Sequence, residues 1–294
     1  MTDRRGALRS AAVVKALAQA IETEDRHLFA LLVRLGDLPG PRPNDDLAAA
    51  VGVALAATGS RGDHLLRELL AVDEARASGT SGEAYLPYVA AHTLAARIAR
   101  DFDVRNGWTA LEELAGDARK VVRDGVVSAL IGLSDREDLA ARFATWMDGY
   151  LQAAVALEVL SDRAALDRVA NPDDIIARLD DATTLAEDAP RAAERSQGRR
   201  RLLEVIEITI PRFAARFAQT LDWLAKRAAT KQPEIRAALE KALLGLDKKG
   251  LVDAKLDPIR KALDASRPLR RDPTDYRGPT RGRGRKAHRR GERK

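Results

Sequence analysis

Apolar positions along this chain recur at helical spacing almost without interruption. Val122, Val126, Ala129, Leu130 and Leu133 lie at offsets 0, 4, 7, 8 and 11, the apolar stripe of one helix face. Ile235, Leu239, Ala242, Leu243 and Leu246 repeat the stripe 113 residues later, and both segments end Ala-Leu-x-Gly-Leu. The copy extends to other positions, with Arg123 matching Arg236 and Gly132 matching Gly245. Leu47, Val51, Ala54 and Leu55 carry the first four offsets, 75 residues before Val122. These spacings are about two and three units of roughly 38 residues, a period close to that of two-helix repeats. The slot near residue 85 matches in part, through Tyr85 and Val89 with His92 and Thr93 further along, and the slot near 160 does not match. No run alternates at period two for long enough to make a strand. The pattern therefore predicts an all-α chain.

Turn residues punctuate the helices at Gly36 to Asn44, Gly59 to Asp63, Ser78 to Gly82, Asn171-Pro172 and from Pro268 onward. Asn171-Pro172-Asp173-Asp174 reads as a helix start, with a capping side chain, a proline at the first helical position and carboxylates near the positive end of the helix dipole. Ser134 with Glu137 has the spacing of a capping box, and Gln232-Pro233-Glu234 repeats the proline-first start. Near the N-terminus Arg4, Arg5 and Arg9 precede an apolar run, but Lys15 and Gln19 interrupt it. The segment continues as an amphipathic helix through Leu17 and Ile21 and does not form a targeting signal. The longest uncharged stretch, Leu47 to Ser60, is 14 residues, short of the roughly 18 to 20 that span a bilayer.

Composition narrows the class further. Aromatic residues are 4% of the 294 while hydrophobic residues are 45%. The core is therefore built from Ala, Leu and Val, which favours packed helices over a sandwich of sheets. Cysteine is absent, so disulfides, thiolate metal sites and a Cys nucleophile are excluded, and a cytoplasmic setting is expected. His27, His64, His92 and His288 lie far apart without metal-ligand spacing, and no triad, phosphate-cradling loop or dinucleotide fingerprint occurs. Neither a cofactor nor a metal is expected.

Charge separates the chain into blocks that the net +6 conceals. Residues 1 to 188 carry 21 Lys and Arg against 31 Asp and Glu, residues 189 to 269 carry 18 against 10, and residues 270 to 294 carry 11 against 3. An acidic body with a basic end and a basic tail is the footprint of a surface that docks polyanions. Within the second block Arg191, Arg195, Arg199, Arg200, Arg201, Arg212 and Arg216 form a basic stretch; Arg191 with Arg195 and Arg212 with Arg216 are each four apart, so each pair can share one helix face. The tail from Arg270 has no Val, Ile, Leu, Met, Phe or Trp, and such a composition predicts disorder in the free protein. The expected organisation is a helical repeat domain over 1–267 and a basic tail over 268–294.

Two resemblances follow from these residues. Gly116-Asp117-Ala118-Arg119-Lys120-Val121-Val122-Arg123 with Ala129-Leu130 resembles the second helix of a HEAT-type repeat, and Glu234-Ile235-Arg236 with Ala242-Leu243 is similar, with Pro233 in place of Lys120. The resemblance covers about two repeats and implies an α-solenoid whose stacked helix pairs present a concave face to a partner. Arg281-Gly282-Arg283-Gly284-Arg285-Lys286 resembles an AT-hook, with Gly284 where that family has proline, and it is equally similar to Arg/Gly-rich RNA-binding segments. That likeness implies Arg281, Arg283, Arg285 and Lys286, followed by Arg289 and Arg290, on a nucleic-acid backbone or minor groove.

Trp108, Trp146 and Trp223 admit a base-stacking role in a HEAT-like alkylpurine DNA glycosylase, where Trp108 with Asp117, or Trp146 with Asp148, would face a damaged nucleotide. The spacing of Trp146 from Phe143 favours packing for the tryptophans. The sequence expectation is a non-catalytic helical-repeat protein that binds nucleic acid, DNA ahead of RNA, without membrane contact. The alternatives are the glycosylase and a protein scaffold whose acidic N-terminal part binds a partner while the tail confers solubility.

Overall fold

The computed structural model describes residues 4–23, 26–169, 171–250 and 254–267, with side chains from residue 12 onward. The basic tail, with Arg281, Arg283, Arg285, Lys286, Arg289 and Arg290, lies outside the described residues. Those residues form fifteen α-helices and no strand. The first seven are α1 Arg4–Thr23, α2 His27–Leu35, α3 Asp45–Ala56, α4 Asp63–Leu70, α5 Tyr85–Ile98, α6 Val104–Ala115 and α7 Lys120–Ile131. The rest are α8 Leu139–Arg142, α9 Tyr150–Leu160, α10 Arg163–Leu166, α11 Pro172–Glu187, α12 Gln197–Ala214, α13 Gln219–Arg227, α14 Pro233–Lys248 and α15 Leu256–Ala265. Tight 3-10 turns occupy Gly59–Gly62, Gly82–Ala84 and Phe143–Asp148. No helix of the described residues is long and apolar enough to cross a membrane.

The chain packs in a succession that follows the sequence. Helix α3 lies on α5, α5 on α7, α7 on α9, α9 on α12 and α12 on α14. A second set backs this row: α6 against α5, α7 and α9; α11 against α9 and α12; α13 against α11 and α12; and α15 against α13 and α14. The two matched stripes fall on α7, with Leu133 just past its end, and on α14, and all ten of their apolar residues are buried. On α3 the stripe is less complete, with Val51 and Leu55 buried and Leu47 and Ala54 half-buried. Helix α5 sits deepest, and it is gripped by glycines on both neighbours. A side chain at Gly52 of α3 would collide with the His92 backbone, 2.7 Å from where its Cβ would stand, and one at Gly125 of α7 would meet the Tyr88 ring at 2.8 Å. These glycines let three helices approach more closely than Ala would allow.

Helix starts confirm part of the sequence reading and correct part of it. Asn171 caps α11 by accepting from the Asp173 amide at 3.1 Å, with Pro172 in the first turn. Pro233 likewise opens α14. The spacing of Ser134 and Glu137 does not make a capping box. The next helix starts at Leu139, and Asp138 supplies its cap by accepting from the Ala141 amide. The Ser134 hydroxyl instead turns back to donate to the Ile131 carbonyl at 2.8 Å, where it satisfies the end of the preceding helix.

Candidate functional site

The buried arginines serve the fold. Arg119 grips the Asp117 carboxylate with Nε at 2.9 Å and Nη2 at 2.6 Å, while Nη1 donates to the carbonyls of Asp73 and Ala77. Arg123 donates to the carbonyls of Asp117 and Ala118. Burial pushes its guanidinium below the ordinary arginine value, and Arg201 nearby adds to the shift. Its counterpart Arg236 is equally buried and donates to the Ser266 carbonyl at 3.2 Å. The matched pair Arg123 and Arg236 thus ties the ends of neighbouring segments to the inner row of helices.

The basic stretch divides when its side chains are placed. Arg191 and Arg195 do not share a helix face, because α11 ends at Glu187 and residues 191 to 195 form a turn before α12. Pro190 accounts for the break, since it disfavours helix in the residue before it. Arg191, Arg195 and Arg200 are exposed, and none makes an ion pair among the described residues; Arg200 Nη2 donates to the Arg195 carbonyl at 2.8 Å and draws that turn onto the start of α12. Arg199 departs from the expectation of a binding residue. It is 2% exposed, with Nε donating to the Ala186 carbonyl at 2.8 Å and Nη1 to the Glu194 carbonyl at 3.3 Å. Arg201 is half-buried between Glu158 and Glu204. Arg212 is exposed and donates to the Ser161 hydroxyl at 3.2 Å. Arg216 lies past the end of α12, 3.9 Å from Asp167.

Arg201 and Arg212 do meet, in a cleft of about 230 Å³ between α7, α9 and α12. Its lining joins their guanidinium groups to Val127, Ile131 and Ile208, the last of them 48% exposed, with Glu158 between. Burial pushes the Glu158 carboxyl above the usual range despite Arg201 beside it. Lys226, Lys231 and Lys248 are also exposed without ion pairs among the described residues. They stand singly in the sequence and form no motif, although the charge of the second block includes them.

The tryptophans are packing residues. All three are buried; the Trp108 and Trp146 rings meet edge to face at 6.4 Å, and Trp223 Nε1 donates to Asp180 at 2.7 Å. The open pocket of Trp and Asp that a glycosylase would need is not formed by these rings. A different polar cluster joins α3, α5 and α7. Asp45 accepts from the Tyr88 hydroxyl at 2.6 Å and the Ser128 hydroxyl at 2.8 Å, and His92 Nε2 lies 3.1 Å away. Burial raises the Asp45 carboxyl, but the bonds from Tyr88 and Ser128 and the nearby His92 outweigh it and hold the group below its ordinary value. Burial lowers His92, with Asp45 pulling it part of the way back. The aromatic row Tyr85, Tyr88 and His92, with ring centroids 5.6 and 5.4 Å apart, explains why the slot near 85 breaks the apolar stripe. Among the described residues no group of His, Asp and Glu could hold a metal ion.

No family model, curated protein or solved structure matches this chain.

Proposed function

We propose that this chain is a HEAT-like α-solenoid that binds nucleic acid without catalysing a reaction on it, DNA ahead of RNA. The solenoid half of the reading is supported by the packing order, in which α3, α5, α7, α9, α12 and α14 each touch the next while α6, α11, α13 and α15 back them. Buried Arg123 and Arg236 at equivalent places in two segments add to it. The binding half rests on one observation: cations without carboxylate partners collect where the sequence turns basic. Arg191, Arg195 and Arg200 lead this set, in a block that carries 18 Lys and Arg against 10 Asp and Glu. A phosphate backbone supplies the compensating charge, and the gain comes chiefly from released counterions.

In this reading Arg212 extends the contact along α12, and the AT-hook-like Arg281 to Lys286 adds a second, tethered grip. The test is fluorescence anisotropy of a short labelled duplex titrated with the full chain and with the Arg191→Ala/Arg195→Ala/Arg200→Ala variant. The variant should lose affinity by about one decade per phosphate contact removed near 0.1 M salt. If the wild-type chain binds neither duplex DNA nor RNA at low salt, the reading falls. The cleft beside Ile208 then becomes the surface to explain, as part of a protein scaffold.

A further inference from the structure

The most acidic part of the folded chain carries a groove of about 570 Å³ on the side of the second helix set. The Phe143–Asp148 turn, the start of α9, the C-terminal end of α11 and the residues just after it form it. Met147, Leu185 and the half-buried Tyr150 ring line an apolar floor, and Asp148, Asp181 and Asp188 stand along it. Asp181 pairs with Arg178 at 2.9 Å, whereas Asp148 and Asp188 have no ion pair among the described residues. The surplus of negative charge is felt nearby: Glu112 is pushed above the usual carboxylate range, by burial first and then by Asp148 and Glu113. The excess acid of residues 1 to 188 lies in the stretch that contributes the groove, since residues 101 to 188 hold 9 Lys and Arg against 19 Asp and Glu, while residues 1 to 100 hold 12 of each; three of those carboxylates line the groove itself.

We infer that residues 270–294 of this same chain dock in that groove. Charge complementarity selects them: they carry 11 Lys and Arg in 25 residues, and an arginine laid over Tyr150 between aspartates gains both cation–π and ionic contact. Reach permits it. The described chain stops at Arg267 just past α15, α15 packs on α13, and α13 packs on α11, which forms one wall of the groove. Two helix spacings are roughly 20 Å, and 27 residues from 268 to 294 extend to about 90 Å. Arg191 directly follows Pro190, which itself lines the groove, so the groove lies beside the arginines of the α11–α12 turn, and its carboxylates compete with phosphates for the cations of the tail. Docking stands independently of the nucleic-acid reading; the competition rests on it.

Carbodiimide cross-linking of the full-length monomer tests the docking without any nucleic acid. The tail contains two lysines, Lys286 and Lys294, and a zero-length amide forms between amine and carboxylate groups already in contact. The expected product joins one of them to Asp148, Asp181 or Asp188, it diminishes as salt rises, and it disappears in the Asp148→Asn/Asp181→Asn/Asp188→Asn variant. That variant should also bind duplex DNA about three- to tenfold more tightly at low salt, as release of the tail's cations from the groove requires. Lysine cross-links confined to other carboxylates, or none at all, would overturn the docking. Cross-links in the groove with unchanged duplex affinity in a folded triple variant would overturn the competition alone, and a wild-type chain that binds no duplex would fault the nucleic-acid reading while leaving the docking intact.

Discussion

Arg199 and Arg200 are adjacent in sequence and opposite in role, and substituting each with alanine separates the two functions of arginine in this protein. Arg199→Ala removes a guanidinium that donates to the Ala186 carbonyl at 2.8 Å and the Glu194 carbonyl at 3.3 Å, with Glu234 3.7 Å away. Bonds from a charged donor contribute about 1.5 to 3 kcal/mol each, and a buried carbonyl left without a partner costs about 1 to 3 kcal/mol. The second bond is long and near the surface, so the first dominates and the expected loss of stability is about 3 kcal/mol. Arg200→Ala removes one exposed bond to the Arg195 carbonyl, and its stability should change by less than about 0.5 kcal/mol. Binding should show the reverse order. The Arg200 variant should lose up to about tenfold in duplex affinity near 0.1 M salt, with the salt slope reduced by about 0.9. The Arg199 variant should bind normally wherever it is folded. Urea denaturation followed by circular dichroism reads the first quantity, and anisotropy titrations across a range of salt read the second. A stable Arg199 variant with weakened binding would refute the placement of Arg199 inside the fold.

Leu130→Ala and Leu243→Ala, at equivalent buried positions of α7 and α14, should each destabilise by about 2 to 5 kcal/mol; losses under about 0.5 kcal/mol at both would put the stripe on the surface. Because the folded pKa of His92 lies below its ordinary value, the unfolded chain takes up the proton first as pH falls. Stability should therefore drop as pH decreases below about 6.5, and His92→Gln should flatten the curve in that window; an unchanged curve would deny the shift. Tryptophan fluorescence should be poorly quenched by acrylamide and unchanged by duplex DNA, since all three rings are buried; strong quenching by DNA would return them to the binding surface.

The parts of the fold legible in the sequence are those in which a single face decides the outcome. The stripes of α7 and α14 declare themselves because five apolar residues at helical spacing have nowhere to go but a core. The match of Arg123 with Arg236 is equally real, although sequence alone does not reveal that both are buried and bonded to carbonyls. Matched glycines prove less alike than they look: a side chain at Gly245 would run into Pro211 at 2.8 Å, whereas at Gly132 the nearest obstacle is the Ala129 carbonyl of its own helix. Spacing failed where it assumed a helix that the chain does not make. Arg191 and Arg195 are four apart in a turn, and the helix stops before Pro190. It also failed to place Arg199, because a run of arginines at the start of an amphipathic helix must rotate one member inward, and which one depends on the carbonyls it finds there. The Asp45 cluster was invisible for a related reason: its members lie 43 and 47 residues from Asp45 at Tyr88 and His92, and 83 at Ser128, and nothing local marks them as neighbours.

The measurement that bears most directly on the proposed function is the salt dependence of duplex DNA binding by the full chain. If about five phosphates are neutralised by the tail alone, log affinity should fall against log salt with a slope of roughly −4 to −5, and contacts from Arg191, Arg195 and Arg200 should steepen it. An affinity that does not change with salt, or no binding at low salt, would contradict the account.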